Sequence, residues 1–266
     1  MYNGRNVALV YDGSFYGLLS AAWYALENKI TPAEITAKRL LLPIFEEKEI
    51  ETDEKKAMRL LHGIENRIFK GVSKKVFALW LSDRENKEEL LLDYLRFGLS
   101  HGQKTARLLT EPAVCETEKT FRAVYNEAHR LKGFLRFSEF DGFLAAITEP
   151  SCNALPLIIG HFARRFPEEN LLIYDKKHKL AALSQRGEIS LFDADEFFFP
   201  KRSLEEKHYR ILWREFYNTV AIKERLNEKC RKTHLPVRFW HQLTEMSEEN
   251  DVNALNFENI KLTFND

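Results

Sequence analysis

The sequence predicts an α+β protein in which a mostly antiparallel sheet is covered by helices. Three observations lead to this prediction. A short apolar strand opens the chain, apolar residues recur at helical spacing up to residue 132, and from Gly133 onward they alternate as in strands. We therefore expect a single domain over residues 1–246, with a helical insertion or subdomain over about residues 30–132.

The first elements are a strand and a helix. Residues 6–11 form an apolar run typical of a buried strand, which we expect to join the main sheet. The turn Asp12-Gly13-Ser14 can cap a helix over residues 15–28. Thr31-Pro32-Ala33-Glu34 has the residue types of a second helix start.

The rest of the chain divides at Gly133. Before it, helical spacing predicts a helix that opens at Thr52-Asp53 and further helices over 73–82, 86–98 and 117–132. After it lies a sheet-rich part over 133–200, followed by C-terminal helices over 203–246. The sheet-rich part contains a hairpin (134–140 and 143–148) that turns at Asp141-Gly142, a helix (155–166) and a three-stranded meander (171–175, 179–184 and 188–192). The C-terminal helices are predicted over 203–232 and 236–246. An acidic, Asn-rich tail over 247–266 is expected to be loose or docked as an edge.

Composition, net charge and cysteine spacing exclude several classes of function. The 266 residues are 44% hydrophobic, enough for a proper core, and 40 Lys plus Arg balance 40 Asp plus Glu. A neutral total argues against a histone-like basic coat but is compatible with a local basic groove. Three cysteines without metal-ligand spacing predict free thiols, no metal and no cofactor. The apolar runs are too short to span a bilayer, so we expect a cytoplasmic protein without membrane association.

One candidate cluster surrounds the end of helix 117–132. It contains Glu127, His129, Arg130 and, just beyond the helix, Arg136. A histidine and an arginine at a helix C-terminus complement the helix dipole, which is a structural interpretation. The functional alternative is general acid/base or ligand duty for His129.

A second cluster follows the hairpin. Glu149 ends a strand, and helix 155–166 then carries His161, Arg164 and Arg165. Arginines on a helix are often solvated or paired with carboxylates. The alternative is a phosphate grip, because the guanidinium fork matches phosphate oxygens.

A third cluster interleaves aromatic and basic residues near the C-terminus. Trp213 and Phe216 lie in the long predicted helix, and Arg238 and Trp240 follow it. Such a mixture suits base stacking with phosphate contacts. The same aromatic residues also fit an ordinary packed helix face, which is the interpretation that spacing favours.

Several motifs, in order, resemble a bacterial family of proteins ascribed to DNA metabolism or DNA repair. The similarity extends over residues 6–246, and no Walker loop, Gly-x-Gly-x-x-Gly or His-Glu-x-x-His motif competes with it. The motifs are Tyr11-Asp12-Gly13-Ser14-Phe15, Glu127-x-His129-Arg130, Gly133-Phe134-Leu135-Arg136-Phe137, Glu149-Pro150-x-x-Asn153-x-Leu155-Pro156, His161-Phe162-Ala163-Arg164-Arg165-Phe166-Pro167, Leu212-Trp213-Arg214 and Pro236-x-Arg238-Phe239-Trp240.

The resemblance implies a role on DNA with a partner enzyme. Members are typically encoded beside a radical-SAM protein ascribed to DNA modification or repair, and in some bacteria the domain is fused to a uracil-DNA-glycosylase-like domain. This chain has no three-cysteine cluster motif, so any iron–sulfur chemistry would belong to the partner.

The leading hypothesis is therefore a DNA-binding accessory protein that works with a radical-SAM enzyme. Its nucleic-acid-binding residues would be Arg130, Arg136, Arg164, Arg165, Arg238 and Trp240. One alternative is a nuclease- or glycosylase-like hydrolase with Glu127, His129, Glu149 and His161 as catalytic residues. Another is a non-catalytic assembly scaffold. We further expect His129, Arg136, His161 and Arg165 to meet across one groove.

Overall fold

The computed structural model describes residues 6–37, 45–140, 142–195 and 204–246. Residue contacts divide the chain into two compact units, Met1–Asn126 and Glu127–Asp266, and the division falls inside the helix Pro112–Phe134. The single domain expected over residues 1–246 stays a prediction. The expected tail over 247–266 lies outside the described residues.

The first unit contains a three-stranded parallel sheet. Its strands are β1 (Val7–Val10), β2 (Glu34–Thr36) and β3 (Glu46–Glu49), with β1 in the middle. Ala8 is in register with Glu34 on one side, and Val7 with Glu46 on the other. The expectation that strand 6–11 joins the main sheet is therefore wrong, because β1 finds both of its neighbours within its own unit.

The helix predicted at Thr31-Pro32 is also wrong. Strand β2 occupies the place, and the backbone amide of Ala33 donates to the carbonyl of Val7 at 2.8 Å. Pairing with β1 overrides the local capping signal, and the β-branched residues Ile35 and Thr36 suit a strand. The stretch expected to be helical over 30–132 thus contains two strands as well as helices.

Helices supply the rest of the first unit and confirm the predicted periodicity. Leu91, Leu95 and Ile64 are fully buried in one apolar core together with Leu9, Leu18 and other residues of β1 and its following helix. The helices are α1 (Phe15–Glu27), α2 (Glu54–Arg67), α3 (Val72–Leu81), α4 (Lys87–His101) and the start of α5 (Pro112–Phe134), with a 3-10 helix over Gly102–Arg107.

The second unit contains a five-stranded mixed sheet in chain order. Its members are β4 (Ser138–Phe140), β5 (Phe143–Thr148), β6 (Leu171–Asp175), β7 (Leu180–Gln185) and β8 (Glu188–Asp193). The hairpin β4–β5 and the meander β6–β7–β8 are antiparallel, as predicted. Strand β6 runs parallel to β5 because helix α6 (Leu155–Arg165) crosses between them. The fold class is mixed α and β, and the expected mostly antiparallel sheet is corrected to one mixed and one parallel sheet.

The C-terminal part is less regular than one long helix over 203–232 followed by a short one. Helix α7 covers Leu204–Val220, a 3-10 turn covers Lys223–Arg225, and α8 covers Glu228–His234. Asn227 is extended and its side chain accepts from the Cys230 amide at 2.9 Å, which starts a new helix. A 3-10 helix over Val237–Gln242 replaces the last predicted helix. In the segments that the structure covers, no helix combines the length and apolarity needed to cross a bilayer.

The turn after β1 is held by side chains. Asp12 accepts from the amide and the hydroxyl of Ser14 at 2.9 and 2.7 Å, and from the Thr52 hydroxyl at 2.7 Å. Burial acts to raise the pKa of the Asp12 carboxyl, but these hydrogen bonds hold it below its ordinary value. Ser14 in turn accepts from the Gly17 amide at 2.9 Å and caps α1. The Asp12 carboxylate thus joins the end of β1 to the segment before α2.

Gly17 tests the importance of this turn. A Cβ at Gly17 would lie 2.0 Å from Asp12 Oδ1, so Gly17→Ala must displace the carboxylate. We expect it to lower the free energy of unfolding by about 1–3 kcal/mol. Gly63→Ala is the matched control in α2, where a Cβ meets nothing within 4 Å, and should stabilise by about 0.5–1 kcal/mol. Urea denaturation of both variants measures this, and equal effects would contradict the account.

Candidate functional site

A buried carboxylate organises the second unit. Glu127, in α5, is 2% exposed, and its Oε1 accepts from the Ser151 amide at 2.9 Å. Its Oε2 accepts from the guanidinium of Arg238, in the 3-10 helix Val237–Gln242. A buried charge needs such partners, because removing it from water is costly. Glu127 therefore ties α5 to the loop before α6 and to the C-terminal 3-10 helix.

A second carboxylate adds a parallel link. Glu245 accepts from Arg136 Nη2 at 3.2 Å and from the indole Nε1 of Trp213 at 3.0 Å. Arg136 also donates to the carbonyl of Gly133 at 3.1 Å, in the last turn of α5. These contacts bind the end of α5, the middle of α7 and the end of the described chain together.

The carboxyl ends of the parallel strands β5 and β6 carry a polar group that sequence reasoning missed. Asp175 is fully buried and accepts from the backbone amides of Lys177 and His178 at 3.1 Å and from His178 Nδ1 at 2.6 Å. Beside it, Thr148 accepts from the Gln242 side chain at 3.2 Å. The only signal in the sequence is a turn, Asp-Lys-Lys-His, directly after an apolar strand. Asp175 closes this turn and orients the His178 ring.

Cations gather at the ends of α5 and α6. Lys132 lies in the last turn of α5, and Arg164 and Arg165 lie in the last turn of α6. Burial lowers the pKa of His161, and the charges of Lys132, Arg165 and Arg164 lower it further. The Phe137 ring, three residues beyond α5, lies 5.1 Å from the Phe162 ring of α6, so the ends of the two helices are neighbours. We call Lys132, His161, Arg164 and Arg165 the cationic cluster.

The cationic cluster lacks a carboxylate partner in the described part of the chain. No ion pair joins Lys132, Arg164 or Arg165 to an acidic residue there, although Glu168 and Glu169 follow closely in sequence. Arg164 and Arg165 are exposed, and the Arg165 guanidinium lies 5.7 Å from the ring centroid of Phe166. The cluster therefore presents positive charge to solvent, which suits an anionic ligand.

The other predicted nucleic-acid-binding residues have different surroundings. Arg130 is exposed, whereas Arg136 and Arg238 are held by the carboxylates of Glu245 and Glu127. The Trp240 indole donates to the carbonyl of Leu235 at 2.9 Å, with the Arg231 guanidinium 4.9 Å from its ring centroid. The structure thus places Arg164 and Arg165 in the cluster and gives Arg136, Arg238 and Trp240 structural contacts.

The predicted catalytic residues are dispersed among different contacts. Glu127 is buried in its contacts with Ser151 and Arg238, which we call the Glu127 junction. Glu149 is exposed and pairs with Lys176 at 3.1 Å. His129 is exposed and, among the residues with described positions, makes no hydrogen bond or ion pair. His161 lies in the cationic cluster. No hydrogen bond between any two of these four residues occurs in the described segments, so their catalytic role stays a prediction. In the same segments, no group of three or more His, Cys, Asp or Glu side chains is arranged to hold a metal ion.

The Glu127 junction predicts a large stability effect. Arg238→Ala leaves the buried carboxylate with only the Ser151 amide, and we expect the free energy of unfolding to fall by about 1–3 kcal/mol. The loss is below that of a fully buried pair because the Arg238 side chain is 44% exposed. Lys176→Ala removes the partner of the exposed Glu149 and should cost about 0–1 kcal/mol. Chemical denaturation of both variants measures the free energy of unfolding. A similarly small decrease in both variants would contradict the importance of the Glu127 junction.

Comparison with known proteins gives a family. No curated protein and no solved structure matches the chain. Residues 85–245 match DUF4130, a domain of unknown function, and this span contains the Glu127 junction and the cationic cluster. The match is consistent with the family resemblance of the sequence motifs. Because it spans more than half of the 266 residues, the chain belongs to the DUF4130 family.

Proposed function

We propose that the protein binds DNA through phosphate contacts of the cationic cluster and works with a radical-SAM partner enzyme. The observation that carries the proposal is that Lys132, His161, Arg164 and Arg165 lie at neighbouring ends of α5 and α6 without a carboxylate partner in the described residues. Like charges that meet without an internal counterion are stabilised by an external anion, and DNA phosphate is one that arginine recognises well. The partner enzyme follows from the family resemblance.

The neutral total charge is compatible with this proposal. Phosphate contacts require a local patch rather than a basic protein, and Lys132 of α5 with Arg164 and Arg165 of α6 would supply one. Because such contacts read no base sequence, the cluster supports affinity and positioning on DNA. Chemistry on the DNA would then belong to the partner.

Removing both arginines of α6 tests the proposal. We expect Arg164→Ala with Arg165→Ala to weaken duplex binding and to reduce the slope of log K against log salt by about two units, because roughly one counterion is released per phosphate contact. Fluorescence anisotropy of a labelled duplex at several salt concentrations measures both quantities, alone and with the radical-SAM protein present.

The control removes the same charge elsewhere. Lys104→Ala with Arg107→Ala deletes two exposed cations of the 3-10 helix in the first unit, neither of which forms an ion pair within the described segments. This variant should keep the parent slope. A parent protein without DNA affinity in both settings, or equal losses in the two double variants, would contradict the proposal.

A further inference from the structure

Helix α7 exposes an aromatic stripe. Tyr209, Trp213 and Phe216 are 66%, 44% and 57% exposed. Spacings of four and three residues place the three rings on one face of the helix. Core packing, which the sequence favoured for Trp213 and Phe216, is therefore wrong. We call these three residues the aromatic stripe.

Polar side chains of α7 are less exposed than the aromatic stripe. Arg210 and Glu206 have side chains only 13% and 14% exposed, and Arg210 Nη1 lies 3.4 Å from the Ser138 hydroxyl. Two polar side chains of α7 are thus nearly buried, whereas the three aromatic side chains of the stripe are exposed to solvent. Since burial of apolar area normally stabilises a fold, a group of exposed aromatic rings favours a binding surface.

The central ring of the stripe, Trp213, is held by a hydrogen bond and lies beside a second ring. Trp213 donates to Glu245 at 3.0 Å, and Glu245 is itself 8% exposed and paired with Arg136. The Trp213 and Phe216 rings lie 5.8 Å apart between centroids with an interplanar angle of 35°. A fixed indole beside a second ring offers flat faces at low entropic cost, as stacking requires.

The chain directly after the stripe is strongly basic. Residues 221–238 contain six Lys or Arg and two Glu, a local net charge of +4 in a chain with no net charge. Three cations are exposed and form no ion pair within the described segments: Arg225 and Lys229 of this segment and Lys207 of α7. This charge complements a polyanion that also presents flat apolar rings, which describes single-stranded nucleic acid.

We infer that the aromatic stripe stacks unpaired bases of single-stranded DNA while Arg225 and Lys229 of the basic segment 221–238 contact its phosphates. This inference rests on the proposed DNA binding and names the form of DNA bound. Bases of an intact duplex are stacked on each other and cannot offer their faces to Trp213 and Phe216, whereas unpaired bases can. The stripe would then hold a strand that has left the duplex bound by the cationic cluster.

The test leaves Trp213 in place as a reporter. Oligo-dT should quench the fluorescence of Trp213, identified by its loss in Trp213→Phe, and a hairpin duplex without a single-stranded end should not. Tyr209→Ala with Phe216→Ala should weaken oligo-dT binding roughly five-fold or more, since each stacked ring contributes that much. The control is Ile211→Ala, which removes an exposed apolar side chain from another face of α7.

The outcomes separate this inference from the proposed function. Duplex binding that depends on Arg164 and Arg165, with oligo-dT affinity equal in the stripe variant and Ile211→Ala, overturns only the inference. Absence of binding to either DNA form overturns both. Concentration-dependent self-association that the stripe variant abolishes, without an effect on oligo-dT, would make the stripe an interface between copies and overturn the inference.

Discussion

The arrangement of the second unit depends on the buried carboxylate of Glu127. Its two oxygens hold the Ser151 amide and the Arg238 guanidinium, so three segments far apart in sequence meet at one side chain. Ser151 precedes α6, and Glu127 lies about two turns before the end of α5. Beyond this contact, the Phe137 ring, three residues after α5, lies 5.1 and 5.9 Å from the rings of Phe162 and Phe166 at the end of α6. The ends of the two helices are therefore neighbours.

Helix geometry also explains how the protein tolerates a cluster of like charges. Lys132, Arg164 and Arg165 lie in final turns, where the partial negative charge of the helix dipole favours cations. Exposure to water weakens their mutual repulsion further. Together with burial, the remaining positive field lowers the pKa of His161, because the imidazole can lose its proton. In the proposed function, the same cations would bind the phosphates of DNA.

Hydrophobic periodicity predicted those helices and strands in which apolar side chains recur at regular spacing. Strand β1, helix α1, the hairpin and the meander follow from apolar spacing and turn residues. Strand β3 could not be predicted, because its sequence Glu-Glu-Lys-Glu is entirely charged and it pairs with β1 at an exposed edge. Apolar spacing also predicts helix α7, but the aromatic side chains with that spacing are exposed to solvent instead of buried in the core. Spacing reports which residues share a face and does not report what covers it.

For the candidate site, sequence motifs identified residues but not their roles. Glu127, Arg136 and Arg238 all belong to the motifs, but their partners lie up to 111 positions away in sequence. Only the folded chain therefore reveals that these three side chains form ion pairs within the protein. Asp175 escaped notice because a turn aspartate is common. Lys132 gained significance only from its proximity to His161 on another helix.

The most direct test of the account is the pKa of His161, measured by NMR titration with and without a DNA duplex. The resonance is assigned by its loss in His161→Gln. In the free protein, burial and the neighbouring cations should keep this pKa below that of an ordinary histidine, about 6.5. Phosphates bound in the cationic cluster favour the imidazolium, so the account predicts that DNA raises the pKa of His161. An unchanged pKa in protein saturated with DNA would contradict phosphate binding at the cluster.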